Sequence, residues 1–293
     1  MKYNDDEIQF LGGEDVKRTP SPKSTGKRWW IIAAASILLA AASIVGYIVW
    51  QNNRWAVSFE YPLSRSSQNI ISDLSSEDTD TLAPGITLTT DSINDVALRI
   101  YQLHRLKASI STTLPADSDT TVCLAIRAWD YYYDDSKQYH YLGDFVLNGV
   151  EKSRGNNKAG FVAILGDKWQ MGISPEDSVK QYIQLNHGSM YRQFALVSAG
   201  QICLKQFALK GKVTRCALAR KSGDKDFYYI ESINRESLYD FADALADYGF
   251  TDAIYVTGGN TGNTFWRNKQ GEVQGAFAKD LAKGKNLIIF RYI

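Results

Sequence analysis

The shortages in this sequence are the first guide to its function. Charge of one sign is lacking, since 33 Lys and Arg residues stand against 32 Asp and Glu residues, a formal net charge of +1 at pH 7. A chain so close to neutral does not favour a nucleic-acid partner. Histidine is scarce as well, and His104, His140 and His187 are far apart in the sequence. We therefore expect no His-rich metal site, while the metal requirement and any cofactor stay unknown at this point.

Cysteine is equally scarce, with Cys123, Cys203 and Cys216 as its three occurrences. An odd number cannot all pair within one chain, and the spacing matches no metal signature. Apolar residues surround each cysteine, as in TVCLAI and QICLKQF. This setting favours small buried hydrophobic side chains. One disulfide would still fit, and the sequence does not choose the pair.

The common catalytic motifs are missing. The chain has no G-x-S-x-G nucleophile elbow, no H-E-x-x-H zinc motif, no Walker loop and no Rossmann fingerprint. The enzyme classes that depend on those motifs are thereby disfavoured, and function must be inferred from weaker patterns.

One long apolar run is present. Residues Trp29–Trp50 read WWIIAAASILLAAASIVGYIVW and contain no charged residue. As a helix this run would span roughly 33 Å, which is enough for a hydrocarbon core of about 30 Å. Aromatic residues at both ends suit the headgroup zone. The run is longer than a signal-peptide core and no small-x-small cleavage site follows it directly, so we predict an uncleaved anchor.

The flanking charges predict the orientation of this helix. Five basic residues precede it with no acid between them: Lys17, Arg18, Lys23, Lys27 and Arg28. After it, the first basic residue is Arg54, which is soon joined by Glu60. The positive-inside rule places the N-terminus in the cytoplasm and everything after Trp50 outside it, in the periplasm if the cell has two membranes.

Four regions follow from the pattern along the chain. We predict a polar cytoplasmic tail over 1–28, the transmembrane helix over 29–50, and a juxtamembrane spacer rich in Ser, Thr and Asp over 51–92. From 93 to 293, short β-branched and aromatic runs alternate with Gly, Asn and Asp. That pattern predicts an α+β domain with a strand-rich mixed sheet and a few packed helices.

Two helices are predicted inside this domain. The first has Ser174 as N-cap, Pro175 in its first turn and Gly188 at its end. The second has Ser237 as N-cap and an apolar stripe that faces the core, and Gly249 follows it.

The segment TGGNT, Thr257 to Thr261, follows a short apolar run that ends at Val256. Two interpretations are open. Paired glycines and an asparagine suit a tight turn, because both residue types tolerate a positive φ. Glycine also lets backbone N–H groups approach an anion, which would suit a ligand site. From these residues alone the turn is the simpler interpretation.

The order of segments in the domain carries a resemblance. AIRAWDYYYD is followed by GDFVLNG, GFVAILGDKWQMGI, RQFALVSAGQ, KVTRCALARK, the second helix and TDAIYVTGGNT. In this order the chain resembles the phosphodiester glycosidase family of exported bacterial proteins, which shares its domain with the lysosomal uncovering enzyme. The resemblance runs from Ala97 to the C-terminus. RCALA, Arg215 to Ala219, matches the family's R-T-A-I-G, and TGGNT matches its D-G-G-G-S.

This resemblance implies removal of a sugar from a phosphodiester, with a glycan or sugar-phosphate ligand, and it favours the ligand loop over the turn for TGGNT. Two polar positions depart from the family. Its final acid is Thr257 here, and its N-G-G-F-F turn falls on Arg127–Tyr131, where an Arg and an Asp appear. Either the carboxylate has moved to Asp130, or hydrolysis has been lost and binding kept.

The chemistry indicates which side chains to expect. Cleavage at an anomeric carbon needs charge stabilisation on the phosphate, and a carboxylate that supports an oxocarbenium-like centre or activates water. We predict Asp130 as the carboxylate and Arg215 as a bidentate phosphate clamp. The plainer alternatives are a turn-capping Asp130 and an Arg215 paired to a surface acid. The expected ligand-binding residues are Arg127, Trp129, Gly258, Gly259, Asn260 and Thr261.

We therefore predict a membrane-anchored periplasmic protein similar to phosphodiester glycosidases, which hydrolyses sugar-phosphate diesters in envelope glycans. The alternative is a non-catalytic module of the same fold that binds a glycan or another envelope component.

Overall fold

The computed structural model describes residues 25–53, 61–76, 83–116, 118–155, 158–203, 211–257, 264–268, 270–274 and 286–292. The chain divides into two compact units, Met1–Asn52 and Asn53–Ile293. The described part of the first unit lies in helix α1, Thr25–Asn53. Within it, Trp29–Trp50 forms 22 residues that are long and apolar enough to cross a membrane. The side chains of this segment are exposed.

The second unit is α+β, which confirms the predicted fold class. Its described helices are α2 (Ser67–Ser75), α3 (Ser178–Leu185) and α4 (Leu238–Asp247). Its described strands are β1 (Gly85–Ile93), β2 (Val96–His104), β3 (Lys107–Ser111), β4 (Val122–Arg127), β5 (Tyr131–Tyr133), β6 (Tyr139–Tyr141), β7 (Phe145–Leu147), β8 (Val150–Ser153), β9 (Gly160–Leu165), β10 (Lys168–Ile173), β11 (Ser189–Gln193), β12 (Ala195–Ser198), β13 (Gln201–Ile202), β14 (Cys216–Arg220), β15 (Phe227–Ser232), β16 (Asp252–Val256), β17 (Thr264–Arg267), β18 (Val273–Gln274) and β19 (Leu287–Arg291).

These strands form antiparallel sheets. One sheet has seven strands in the order β1-β2-β15-β14-β16-β12-β13. Two sheets have five strands each, in the orders β10-β9-β11-β7-β8 and β18-β17-β4-β19-β3. Strands β5 and β6 form a separate hairpin. Both β4 and β16 are buried along most or all of their length, so their ends carry the chain out of the core at defined places.

The core lies on both faces of the seven-stranded sheet because side chains alternate along each strand. In β14, Cys216 and Leu218 belong to the large cluster that the other sheets share. Ala217 and Ala219 point the other way and pack in the cluster that contains α4. All three cysteines are free and buried, as their apolar neighbours predict.

The helix signals are only partly confirmed. Ser237 caps α4 by accepting a hydrogen bond from the backbone N–H of Asp240, and Gly249 follows with φ of 93°. Helix α3, however, begins at Ser178 with Asp177 as N-cap. Arg192 donates to the carbonyl of Ser174 at 2.6 Å, and this bond holds the preceding segment outside the helix.

The described part of 51–92 is folded rather than extended as a spacer. Helix α2 buries Ile70 and Leu74 in a cluster with Phe161 and Val179. Strand β1 pairs with β2 along its whole length, from Gly85 opposite His104 onward. Two apolar side chains at i and i+4 are enough to dock a short helix when a core is already present. The folded unit therefore begins before residue 93.

Candidate functional site

The predicted ligand loop lies almost entirely outside the described residues. Gly258, Gly259, Asn260 and Thr261 fall within 258–263, which the structure does not describe. Thr257 precedes this stretch and Thr264 follows it. Thr257 follows β16 of the seven-stranded sheet, and Thr264 begins β17 of a five-stranded sheet, so their contacts define the two ends of the loop.

At the start of the loop, Thr257 contacts the predicted carboxylate. Its Oγ1 donates to Oδ1 of Asp130 at 2.5 Å. The same oxygen accepts a hydrogen bond from Nε2 of Gln193 at 3.2 Å. Strand β4 leads towards Asp130 and β16 leads to Thr257, so two strands distant in sequence deliver these groups to one place. Asp130 and the start of TGGNT are thus within direct reach of each other.

A lysine that the sequence analysis missed completes this cluster. Nζ of Lys158 lies 2.6 Å from Oδ2 of Asp130, and the two side chains are 6% and 25% exposed. The ammonium also lies 4.9 Å from the centroid of the Phe194 ring. Lys158 stands in the polar stretch GNNKAG, which matches no motif, so only the tertiary structure reveals its role.

The electrostatic balance at Asp130 favours the carboxylate form. Burial is the largest influence and acts to raise the pKa of Asp130. The Lys158 ammonium and the hydrogen bonds from Lys158, Thr257 and Gln193 together outweigh burial and hold that pKa below its usual value. Asp130 is consequently ionised at neutral pH.

Trp129 lies in the core and not on an open surface. Its side chain is 1% exposed, and its ring centroid lies 4.6 Å from that of Phe145. Its Nε1 donates to the hydroxyl of Tyr139 at 3.0 Å. An enclosed indole has no free face for a sugar, so Trp129 fixes the chain next to Asp130 instead of meeting a ligand there.

Arg127 is half-buried at the end of β4, opposite Leu287 of β19. Its neighbour Ile126 pairs with Thr264 of β17. The register therefore places Arg127 beside the point where the chain enters β17 after the loop.

Arg215 lies at the same end of the seven-stranded sheet as Thr257. Cys216 pairs with Val256, which sets the backbone of Arg215 beside that of Thr257. The residue as a whole, however, is 3% exposed, and its guanidinium binds main-chain carbonyls. Nε donates to Glu236 O at 3.1 Å and Nη2 donates to Gly211 O at 2.8 Å. These bonds tie two loops together. This arrangement differs from both predictions for Arg215, the phosphate clamp and the pairing with a surface acid.

A second carboxylate, Glu231, lies at the other end of the loop and was also missed. It accepts a hydrogen bond from Oγ1 of Thr264, and the hydroxyl of Tyr229 donates to it at 3.1 Å. Tyr101 and Arg99 donate to its other oxygen at 3.2 and 3.3 Å. Glu231 could have been singled out from the sequence because it is an acid at a buried position of the strand sequence FYYIES. Carboxylates thus bind both threonines that bracket 258–263.

Metal ligands are a separate matter. Within the described ranges, no group of three or more His, Cys, Asp or Glu side chains is arranged to hold a metal ion.

Comparisons with known proteins show a distant relation. No protein-family model matches the chain, and no curated protein matches it. The catalytic domain of zebrafish N-acetylglucosamine-1-phosphodiester alpha-N-acetylglucosaminidase, auto-inhibited by its pro-peptide, is similar with a TM-score of 0.50 at 12% identity. The similarity covers 82% of this chain and 97% of that one.

A Burkholderia pseudomallei protein described as exported has a TM-score of 0.42 at 7% identity, over 68% of this chain and 74% of that one. That likeness is too low to support an argument. At 12% identity the zebrafish likeness shows the fold alone. The second unit of this chain therefore shares a distant fold relation with the catalytic domain of that glycosidase.

Proposed function

We propose that the protein is a membrane-anchored extracytoplasmic hydrolase of the phosphodiester glycosidase family, which cleaves sugars from phosphodiesters in envelope glycans. The contact between Asp130 and Thr257 carries this proposal. The family pattern has an acid at the position of Thr257, and here the Asp130 carboxylate lies 2.5 Å from the hydroxyl of Thr257. A carboxylate delivered from another strand end would therefore stand where the family acid is expected.

The proposed reaction breaks the bond between the anomeric carbon and the bridging phosphate oxygen. Water supplies a hydroxyl to that carbon and a proton to the phosphate, so the products are a free sugar and a phosphomonoester. Asp130, ionised beside Lys158, would support the oxocarbenium-like centre or accept the proton of water. Its chemistry requires the carboxylate form, which the lowered pKa favours.

The phosphate would be held by cations and amides around the same loop. Backbone N–H groups of Gly258 and Gly259 would face it, and the side chains of Asn260 and Thr261 would hydrogen-bond to phosphate or sugar oxygens. Arg127 follows Ile126, which pairs with Thr264 at the end of the loop, and this position suits a role in ligand binding.

Arg215 keeps a proposed role in phosphate binding in a modified form. Its guanidinium is enclosed and bound to the main-chain carbonyls of Glu236 and Gly211. Those bonds would hold the backbone beside Thr257 in place, so Arg215 would position the phosphate-binding loop and would not touch the phosphate.

The test is hydrolysis by the full chain in detergent micelles. The substrates are methyl phosphodiesters of N-acetylglucosamine, glucose, galactose and N-acetylgalactosamine, each linked through the anomeric carbon, and released sugar is measured. We expect release from at least one substrate and a loss of about 100-fold or more in Asp130→Asn. Asp240→Asn, an exposed acid of α4, is the matched control and should keep the wild-type rate. No release from any substrate, or an unchanged rate in Asp130→Asn, would overturn the proposal.

A non-catalytic binding module is the second candidate, and Thr257 in place of the family acid favours it. Thr257→Asp separates the two. If Asp130 is the working carboxylate, a second acid in contact with it adds a like charge and lowers the rate. If the natural protein only binds, restoring the family acid should create or raise hydrolysis.

The membrane part of the proposal has its own test. Helix α1 would anchor the chain with its basic flank in the cytoplasm, which places the second unit outside. An alkaline phosphatase fused to the C-terminus should then be active and a green fluorescent protein fusion dark after Sec export. Mass spectrometry of the mature protein should show residues before Trp29. The reverse reporter pattern or a cleaved N-terminus would contradict this topology.

A further inference from the structure

The hairpin that follows Asp130 is unusually aromatic. Strands β5 and β6 pair through Tyr131–Tyr141, Tyr132–His140 and Tyr133–Tyr139. The backbone N–H of Leu142 donates to the carbonyl of Asp130 at 2.9 Å, so the pairing extends to the candidate site itself. Aromatic clusters of this kind on a surface commonly mark a binding site.

The two faces of the hairpin differ. Tyr131, Tyr139 and Tyr141 lie on the inner face, where Tyr141 stacks on Phe145 with 4.3 Å between ring centroids. The outer face carries Tyr132 and His140, which stack on each other at 5.0 Å and 20°. Tyr132 is 47% exposed and the His140 side chain is 39% exposed. Tyr141 therefore holds the hairpin to the core, while the outer pair meets solvent, as does Tyr133 at the far end of the inner face, which is 48% exposed.

The outer pair lies close to the candidate carboxylate along the chain. Tyr132 stands two residues after Asp130, which the hydrogen bond from Leu142 holds at the base of the hairpin. Two residues along a strand span about 7 Å. That distance is close to the length of one pyranose ring, so a ring seated on Tyr132 would extend towards Asp130.

The orientation of the histidine ring is fixed. Its Nε2 lies 2.9 Å from Oδ2 of Asp134, and Oδ1 of Asp134 accepts a hydrogen bond from the backbone N–H of Gln138 at 2.8 Å. The stacked pair of Tyr132 and His140 thus keeps its geometry without a ligand. This reduces the loss of conformational entropy on binding.

We propose that the outer face of this hairpin, formed by Tyr132 and His140, is a stacking subsite for an uncharged sugar ring next to the position of cleavage. Its role in catalysis rests on the proposed hydrolase function, whereas sugar binding can be measured without it. The ring faces would cover the apolar side of the sugar, and nearby carboxylates would accept hydrogen bonds from its hydroxyl groups.

The charges of the hairpin favour this occupant over a membrane surface. Lys158 neutralises Asp130, and over residues 131–143 Asp134 and Asp135 stand against Lys137. An acidic segment is repelled by anionic lipid headgroups. It has no such conflict with an uncharged sugar.

The experiment measures binding of uncharged trisaccharides to the full chain by isothermal titration calorimetry. The probes are chitotriose, maltotriose and mannotriose, and the detergent is lauryldimethylamine oxide because it carries no sugar headgroup. We expect at least one trisaccharide to bind, Tyr132→Ala to weaken its Kd about tenfold, and Tyr132→Phe to keep the wild-type Kd. Tyr239→Ala is the matched control, since Tyr239 is 44% exposed on α4.

Each variant is first checked by thermal unfolding. If Tyr132→Ala does not fold, Tyr132→Leu replaces it, because leucine keeps apolar bulk without a ring face. Binding of no trisaccharide, an unchanged Kd in the ring-deletion variant, or equal losses in Tyr239→Ala would overturn the subsite. Protection of Tyr132 from iodination in phosphatidylglycerol nanodiscs, relative to phosphatidylcholine nanodiscs, would overturn it in favour of a membrane contact.

The two proposals fail separately. If trisaccharide binding depends on Tyr132 and no phosphodiester is hydrolysed, the hydrolase proposal is refuted and the subsite proposal stands. If hydrolysis depends on Asp130 and trisaccharide binding is unchanged in Tyr132→Ala, the subsite proposal is refuted and the hydrolase proposal stands.

Discussion

Replacing Lys158 by Met tests the electrostatic balance around Asp130. Met keeps the apolar stem of the side chain next to Phe194 and removes the ammonium that lies 2.6 Å from Oδ2 of Asp130. Breaking a buried ion pair on one side costs about 3–5 kcal/mol, because a charge is left without its partner. Asp130 keeps 25% side-chain exposure, so we expect the lower end, about 3 kcal/mol.

The loss should depend on pH. In the wild type the pKa of Asp130 lies below its ordinary value, so the pair stabilises the fold fully above the unfolded pKa of about 4 and loses this effect as pH falls through the folded pKa. In Lys158→Met, burial is opposed only by the bonds from Thr257 and Gln193, and the pKa of Asp130 rises. The penalty is therefore largest at neutral pH and shrinks as the pH falls, because the carboxyl of the variant takes up its proton at a higher pH than that of the wild type.

The assay is thermal unfolding of the full chain in micelles, followed by tryptophan fluorescence. About 3 kcal/mol corresponds to a fall in Tm of about 10 °C at pH 7 for a folded unit of this size. The difference should narrow towards pH 3.5. The double variant Asp130→Leu, Lys158→Met removes both charges and should recover most of the loss. An unchanged Tm at pH 7, or the same loss at both pH values, would refute the reasoning.

Three further predictions follow from single contacts. Arg215→Lys should lower the free energy of unfolding by about 1–3 kcal/mol, because one ammonium cannot reproduce both carbonyl bonds; a wild-type Tm would contradict this. Gly160→Ala should lower the free energy of unfolding by about 1–3 kcal/mol, since the added Cβ would lie 2.6 Å from Cγ2 of Ile254 and 2.8 Å from Gln193 O. Gly85→Ala should not lower it, because its Cβ would have nothing within 4 Å. Equal denaturation midpoints for the two variants would contradict the packing argument. Burial raises the pKa of the Cys123 and Cys203 thiols to about 12. The native chain at pH 8 should therefore not react with Ellman's reagent until it is unfolded. Rapid labelling of either thiol in the native chain would be inconsistent with their burial.

Local chemistry explains which parts of the fold could be predicted. Helix α4 was predictable because its N-cap, its apolar stripe and its terminal glycine are all encoded within a few neighbouring residues. Helix α3 was predicted too early because Arg192, which holds the segment before it, is separated by more than a dozen residues. Helix α2 was missed because its apolar residues are few, and only the distant strands that they contact make them sufficient.

The candidate site divides in the same way. Asp130 could be singled out because an acid among aromatic residues is conspicuous in the sequence, and its contact with Thr257 followed an order of segments that resembled a family. Lys158 and Glu231 could not be placed, because nothing in their local sequence indicates which carboxylate or hydroxyl they meet. Trp129 was expected to face a sugar, since an aromatic residue beside an acid has the same local pattern whether its ring is buried or open.

The sequence by itself determined the apolar helix, the α+β class and the segments from which the candidate site is built. These properties depend on residues that are near one another along the chain. Only the tertiary structure decided that Lys158 neutralises Asp130, that Arg215 binds main-chain carbonyls, and that Trp129 is enclosed while Tyr132 is open. Those outcomes depend on burial and on partners that the packing of different sheets brings together across more than a hundred residues, as with Asp130 and Thr257.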